Sequence, residues 1–153
     1  MFDKLNFPGY NFKIINQGID GQSSKVFDMV RRKYVSLTPE EWVRQHLLHY
    51  LVHDKEVPKS LIGIEKKILI NNMVKRTDLV VYSRNAKPLL IAECKAPSVK
   101  ITQQAFDQAA RYNLSLDVRY FILTNGMDTF FCTIDHVQQA YHFLEDIPDY
   151  KNF

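Results

Sequence analysis

The chain has 153 residues, 46% of them hydrophobic and 24% charged, with a formal net charge of +3 and a pI near 8.8. These values suit one globular domain, residues 1–153, and exclude a disordered chain, a repeat array and a disulfide scaffold, since Cys94 and Cys132 are its only cysteines. The opening MFDKLNFPGY lacks the basic and apolar regions of a secretion signal, and no apolar run approaches the roughly 18 residues of a membrane span, so a cytoplasmic protein with no membrane partner is expected.

Residues 1–24 are mixed in character and punctuated by Pro8, Gly9, Gly18 and Gly21, and can form an N-terminal arm. An extended segment is expected at 12–15 and a short strand at 25–30. Thr38-Pro39-Glu40-Glu41 then carries three agreeing helix signals: Thr38 can cap, Pro39 suits the first helical position, and Glu41 completes a capping box. Val43, Leu47, Tyr50 and Leu51 recur at helical spacing, and Pro58 bounds the helix. His46, His49 and His53 fall on this helix at spacings of three and four, where surface or boundary positions are expected rather than a metal site.

Residues 61–70 are rich in β-formers interrupted by charges. Residues 77–83 and 89–95 flank Arg84-Asn85-Ala86-Lys87-Pro88, a polar connection of hairpin length. Leu89-Leu90-Ile91-Ala92 is continuously apolar, as in a strand covered on both faces. A second helix is expected from Thr102 to about Asn113, with Ile101 and Phe106 as a hydrophobic staple and Ala105, Gln108, Ala109 and Tyr112 as its apolar stripe. Strands at 119–124 and 129–134 bracket the turn Asn125-Gly126-Met127-Asp128; the tail through Leu144 adds a strand or short helix, and residues from Pro148 are irregular. Each cysteine lies in an apolar segment and reads as a buried free thiol. The order of elements predicts an α/β fold with a central mixed sheet flanked by helices.

Chemistry concentrates between Asp78 and Lys95. Side chains alternate faces along a strand, so Glu93 and Lys95 point one way and Cys94 the other. An isolated E-x-K is most often a solvent-facing pair. Here it lies in a segment that otherwise reads as buried, where ionised groups need a partner or a metal. Asp78, opening the neighbouring strand, brings a second carboxylate to the same sheet end. Two carboxylates with a backbone carbonyl form a hard oxygen site for Mg²⁺, and a lysine beside it can act on an attacking water.

Asp78, then fourteen residues, then Glu93-Cys94-Lys95, followed by Gln108-Ala109-Ala110-Arg111-Tyr112 on a helix, resembles the PD-(D/E)XK nuclease superfamily. With Pro39-Glu40-Glu41-Trp42-Val43-Arg44-Gln45 as an opening helix, the set is similar to the N-terminal nuclease domain of the type I restriction enzyme R subunit. The resemblance implies a restriction-endonuclease-like core and Mg²⁺-dependent DNA endonuclease activity, with Mn²⁺ able to substitute. Asp78, Glu93 and the Cys94 carbonyl would bind the metal, and Lys95 would act on the water. Gln108 and Tyr112 would sit beside the centre on the DNA backbone, with Arg111 and Arg76 as further DNA contacts. The family also uses an acid on its first helix. Glu40 is the choice, because Glu41 is accounted for by the capping box and Glu40 shares a face with Val43, Arg44 and Leu47. Thr77 stands where the superfamily motif has proline. No G-x-x-x-x-G-K-[ST] phosphate loop occurs, so no ATP-driven motor is expected in these residues, and restriction-modification or helicase subunits become expected partners. A homo-oligomer is left open. Two other readings stand beside the nuclease: a catalytically inactive nuclease-fold module that binds DNA or protein, and a structure-selective repair or resolvase-like nuclease.

Overall fold

The computed structural model describes residues 3–17 and 23–153. It begins with three antiparallel strands, β1 (Ile14–Gln17), β2 (Ser23–Asp28) and β3 (Lys33–Ser36), in that spatial order. The first two correspond to the expected segments at 12–15 and 25–30; Gly18 and Gly21 of the expected arm lie outside the described residues. β2 stops at Asp28, earlier than expected, because the Asp28 carboxylate accepts the backbone N–H groups of Val30 and Arg31 and turns the chain. That turn makes β3, a strand too short to carry a visible alternation.

Helix α1 (Pro39–His53) starts as its capping signals predict, with Thr38 Oγ1 accepting from the Glu41 amide at 3.1 Å. The reciprocal half of the box does not form, because the Glu41 carboxylate is taken by Arg31, Arg44 and Gln45. His46 and His49 are buried, not at the surface: Phe7, Tyr10 and Phe12 of the N-terminal segment pack across them together with Trp42.

A short 3-10 turn (Lys59–Leu61) leads into β4 (Ile62–Ile70), β5 (Met73–Tyr82) and β6 (Pro88–Cys94). Helix α2 (Gln103–Leu114) crosses over to β7 (Tyr120–Thr124), followed by β8 (Thr129–Asp135), β9 (Ala140–Leu144) and a 3-10 turn at Tyr150–Asn152. The six strands lie in chain order, and all neighbours are antiparallel except β6 and β7, which the α2 crossover makes parallel. This is the expected mixed sheet with a helix on each face.

β5 begins at Met73 rather than at 77. Asn71 and Asn72, at φ +49° and +62°, form a two-residue turn that pairs β4 directly with β5. On one face of the sheet, Leu47 and Leu51 of α1 meet Leu79, Val81, Leu90, Ala92 and Ile122. The opposite face holds Val80 and Ile91 with Leu116, and Phe121 and Leu123 with Phe106 and Ala110 of α2. β6 is thus covered on both sides, as its unbroken apolar run predicts. The buried face of α2 is Phe106, Ala110 and Asn113. The expected stripe is displaced: Ala105, Gln108 and Tyr112 are exposed and only Ala109 is partly covered. One phenylalanine outweighs three small or polar residues in setting the face, since it buries by far the most apolar area. Among the described residues no helix is long and apolar enough to cross a membrane.

Candidate active site

Asp78 sits where the sheet loses its regular ladder. On the β4 side the pairing runs through Ile64 with Leu79 and resumes at Lys66 with Thr77, skipping Glu65 and Asp78; Glu65 adopts φ +50°. On the β6 side the pairing stops at Leu79 with Ala92. Strict alternation would send Asp78 to the same face as Val80, the α2 side. Released from both ladders, its carboxylate instead accepts the Cys94 amide at 2.8 Å through Oδ2 and approaches Arg44 Nη2 at 3.4 Å through Oδ1.

Glu93 extends to the α2 side. Its Oε1 accepts from Lys75 Nζ at 2.6 Å, and the same ammonium lies 4.3 Å from the centre of the Tyr112 ring. Lys75, Glu93, Lys95, Gln108 and Tyr112 line one open cavity of about 360 Å³, backed by Leu123. Glu93, Lys95, Gln108 and Tyr112 thus border one space. Lys95 is exposed, and Tyr112 lies over Lys75 rather than in the core. Gln108 is not on an apolar stripe; it is an exposed residue shared between this cavity and the groove beside Gln104 and Arg111. Arg111 and Arg76 are exposed and line no part of the cavity, Arg76 standing opposite Lys67 on β4.

Lys75 is the site residue that the sequence reading misses. It is only 7% exposed. Its signal is its position two residues before the buried Thr77 on β5, visible only once β5 is known to begin at Met73.

On the α1 side, Arg44 gathers the acids. Its Nη2 lies 3.1 Å from Glu40 and 3.4 Å from Asp78, and its Nη1 bonds Glu41 and lies 3.7 Å from Glu65. Burial works to lower the Arg44 pKa, but its acidic neighbours, Glu41 foremost, leave it raised. Arg31 carries the network to β2 through Asp28, Glu41 and Glu65. Of the two helix acids, Glu40 shares a guanidinium nitrogen with Asp78, whereas Glu41 is buried and bonded by three side chains. Burial, reinforced by the Asp78 charge, pushes the Cys94 thiol well above its ordinary range, so it is a neutral packing group.

Asp78 and Glu93 thus approach one peptide unit, Glu93–Cys94, from two sides: Asp78 bonded to its N–H, Glu93 extending from its first residue. They do not share a single cluster, and among the described residues no group of three or more His, Cys, Asp or Glu side chains is gathered as a metal site. The donor chemistry still fits a hard divalent cation. Two carboxylates and the neighbouring Cys94 carbonyl are all oxygen, and Mg²⁺ commonly takes one or two carboxylates and keeps several waters.

Residues 39–148 match the family model described as the type I restriction enzyme R protein N terminus. The chain belongs to this family. As a member of the R protein N-terminus family it carries the matched region from the first turn of α1 past β9, with β1, β2 and β3 preceding it. A solved fragment of an HsdR subunit of a type I restriction enzyme from Vibrio vulnificus YJ016 is similar at 16% identity and a TM-score of 0.49. The alignment covers 73% of this chain and 24% of that one. No curated protein sequence matches the chain significantly.

Proposed function

We propose that this domain is a Mg²⁺-dependent DNA endonuclease that hydrolyses phosphodiester bonds, with Mn²⁺ able to replace Mg²⁺. The observation that carries the reading is the cavity at the end of β5 and β6, where Glu93, Lys95, Gln108 and Tyr112 face one space and Asp78 is bonded to the peptide that Glu93 begins. Asp78, Glu93 and the Cys94 carbonyl would hold the cation, with Glu40 reaching the same corner through Arg44. A bound divalent ion supplies an acidified water and neutralises charge growing on the phosphate. Lys95, on the face that it shares with Glu93, orients the attacking water. Gln108 and Tyr112 hold the sugar-phosphate backbone against the cavity mouth, and Arg76 and Arg111 meet flanking phosphates.

DNA is the proposed partner. Restriction-modification or helicase subunits are further proposed partners. The test is incubation of the pure protein with supercoiled plasmid in Mg²⁺, Mn²⁺ or a chelator. Asp78→Ala and Lys95→Ala are expected to abolish metal-dependent nicking; variants that cut as well as the parent would show the reading to be wrong.

One observation favours a second reading, an inactive nuclease-fold module that binds DNA. Each proposed metal carboxylate already has an internal cation, Lys75 on Glu93 and Arg44 on Asp78. Salt-sensitive DNA binding with no Mn²⁺ uptake by calorimetry would select this reading.

A further inference from the structure

Beside α1, and sharing no residue with the cavity at Glu93, lies a depression of about 210 Å³ lined by Asn11, Lys13, Phe27, His49, His53 and Lys59. A second depression of about 400 Å³ adjoins it through Met29 and Lys59 and adds Arg32 and Ser60. Among the described residues no carboxylate lines either one. Lys13, Lys59 and Arg32 are exposed, and the ion pairs of the described residues use Arg31, Arg44, Lys55, Lys75 and Lys87 instead. Acids on the neighbouring elements are engaged elsewhere: Asp28 accepts from Arg31 and Gln45, and Asp54 from Tyr10. Lys13 stands 5.7 Å from the centre of the Phe27 ring, which keeps its ammonium over the depression.

His49 adds the observation that points to a ligand. It is 7% exposed and its ring packs against Tyr10, Phe12 and His53. Among the described residues neither of its ring nitrogens has a hydrogen-bond partner, although the ring borders the depression. A buried polar group without a partner is costly. Burial, foremost, holds the His49 pKa down to about 4, so the ring is neutral and offers one N–H. A metal cation is a poor occupant, because two lysines flank the histidines and no carboxylate offsets them. Acceptor oxygens that carry negative charge suit every group present. The first depression is smaller than the roughly 300–1,000 Å³ of drug-sized ligand sites, so it suits a compact anionic group. A lone ion would use one depression; two, joined by Lys59 and continued by Arg32, suit an anion that repeats along a chain.

We propose that Lys13, His49 and Lys59 hold one phosphate of a nucleic-acid backbone and that Arg32 meets the next, forming a phosphate-binding surface separate from the cavity at Glu93. This goes beyond the nuclease reading and does not rest on it. Phosphate contacts fix register and orientation without reading sequence, so this surface sets how a strand lies on the domain.

The test uses the whole chain in the presence of a chelator, with a short fluorescent DNA duplex as the probe and anisotropy read across a salt series. The double variant Lys13→Gln, Lys59→Gln is expected to give a slope of log affinity against log salt about two units shallower than the parent, one for each lost phosphate contact. The control Lys4→Gln, Lys151→Gln removes the same charge from exposed positions outside both depressions and should keep the parent's slope. His49→Phe, which keeps a ring in place, should weaken binding about fivefold, the size of one neutral hydrogen bond, without changing the slope. In the parent, saturating DNA should slow amine-specific modification of Lys13 and Lys59, read by mass spectrometry, more than that of Lys4 and Lys151. Equal slopes in the two double variants with no selective protection would overturn the proposal, as would tighter binding to phosphatidylserine vesicles than to DNA. Either result leaves the nuclease reading standing, since nicking is assigned to Asp78 and Lys95. A parent that binds no DNA would overturn both.

Discussion

The Asp78 carboxylate accepts the main-chain N–H of Cys94 at 2.8 Å, taking the place of a strand carbonyl where β5 and β6 separate. One carboxylate oxygen thus fastens the two strands, while the other faces Arg44. The structural and chemical roles can be divided by substitution. Asp78→Asn keeps an acceptor for Cys94 and is expected to melt close to the parent while losing Mg²⁺-dependent nicking. Asp78→Ala leaves a buried amide without its partner and should cost about 1–3 kcal/mol in urea denaturation as well. Equal stability of the two variants would contradict the fastening role.

Glu41 is the hub of the charge network between α1 and the first sheet. Its side chain is 7% exposed and is bonded by Arg31, Arg44 and Gln45. Removing one member of a buried ionic network leaves its partners uncompensated, so Glu41→Ala should destabilise the protein by roughly 3–5 kcal/mol. Hydrogen exchange should rise in β2 and β3, which Arg31 ties to the helix. A loss below about 1 kcal/mol, the value of an exposed pair, would mean that solvent reaches the network.

The buried histidine face of α1 makes stability depend on pH. Burial first, and then the charges of His53 and His46, lower the His49 pKa from 6.5 to about 4, with Asp28 opposing them. A folded-state pKa below the unfolded value means that the unfolded chain binds the proton first. The stability that His49 contributes is therefore complete above pH 6.5 and is lost as pH falls towards 4. Thermal denaturation across this window should show the melting temperature falling, and His49→Phe should flatten that slope. An unchanged slope would mean that other groups cause it.

Much of this architecture is legible in the sequence because its signals are local. Thr38 and Pro39 place α1, and the run from Leu89 to Ala92 marks a strand covered on both faces. What the sequence hides depends on contacts distant in the chain. Regular alternation predicts the wrong side for Asp78, because the break also involves Glu65 on another strand. Lys75 lies outside the strand expected from residue 77, and becomes part of β5 only when that strand is extended back to Met73. His46 and His49 look like boundary residues until Phe7, Tyr10 and Phe12 cover them. Gln108 is misplaced because alanines define a helix face weakly.

The Asn71-Asn72 turn sets the register that carries Lys75 and Asp78 to the site. Both residues have positive φ, at +49° and +62°, which asparagine tolerates and glycine prefers. Asn72→Gly should therefore be neutral or stabilising. Asn72→Val forces a β-branched residue into the left-handed region and should cost about 1–3 kcal/mol. The effect should reach the site: Ile68 and Lys75 form the third pair from the turn, after Ile70 with Met73 and Leu69 with Val74. Fraying there would loosen the hold of Lys75 on Glu93. Amine-specific modification of Lys75 is expected to be faster in Asn72→Val than in Asn72→Gly at the same temperature, and equal rates would show that the register at Lys75 is fixed independently of the turn.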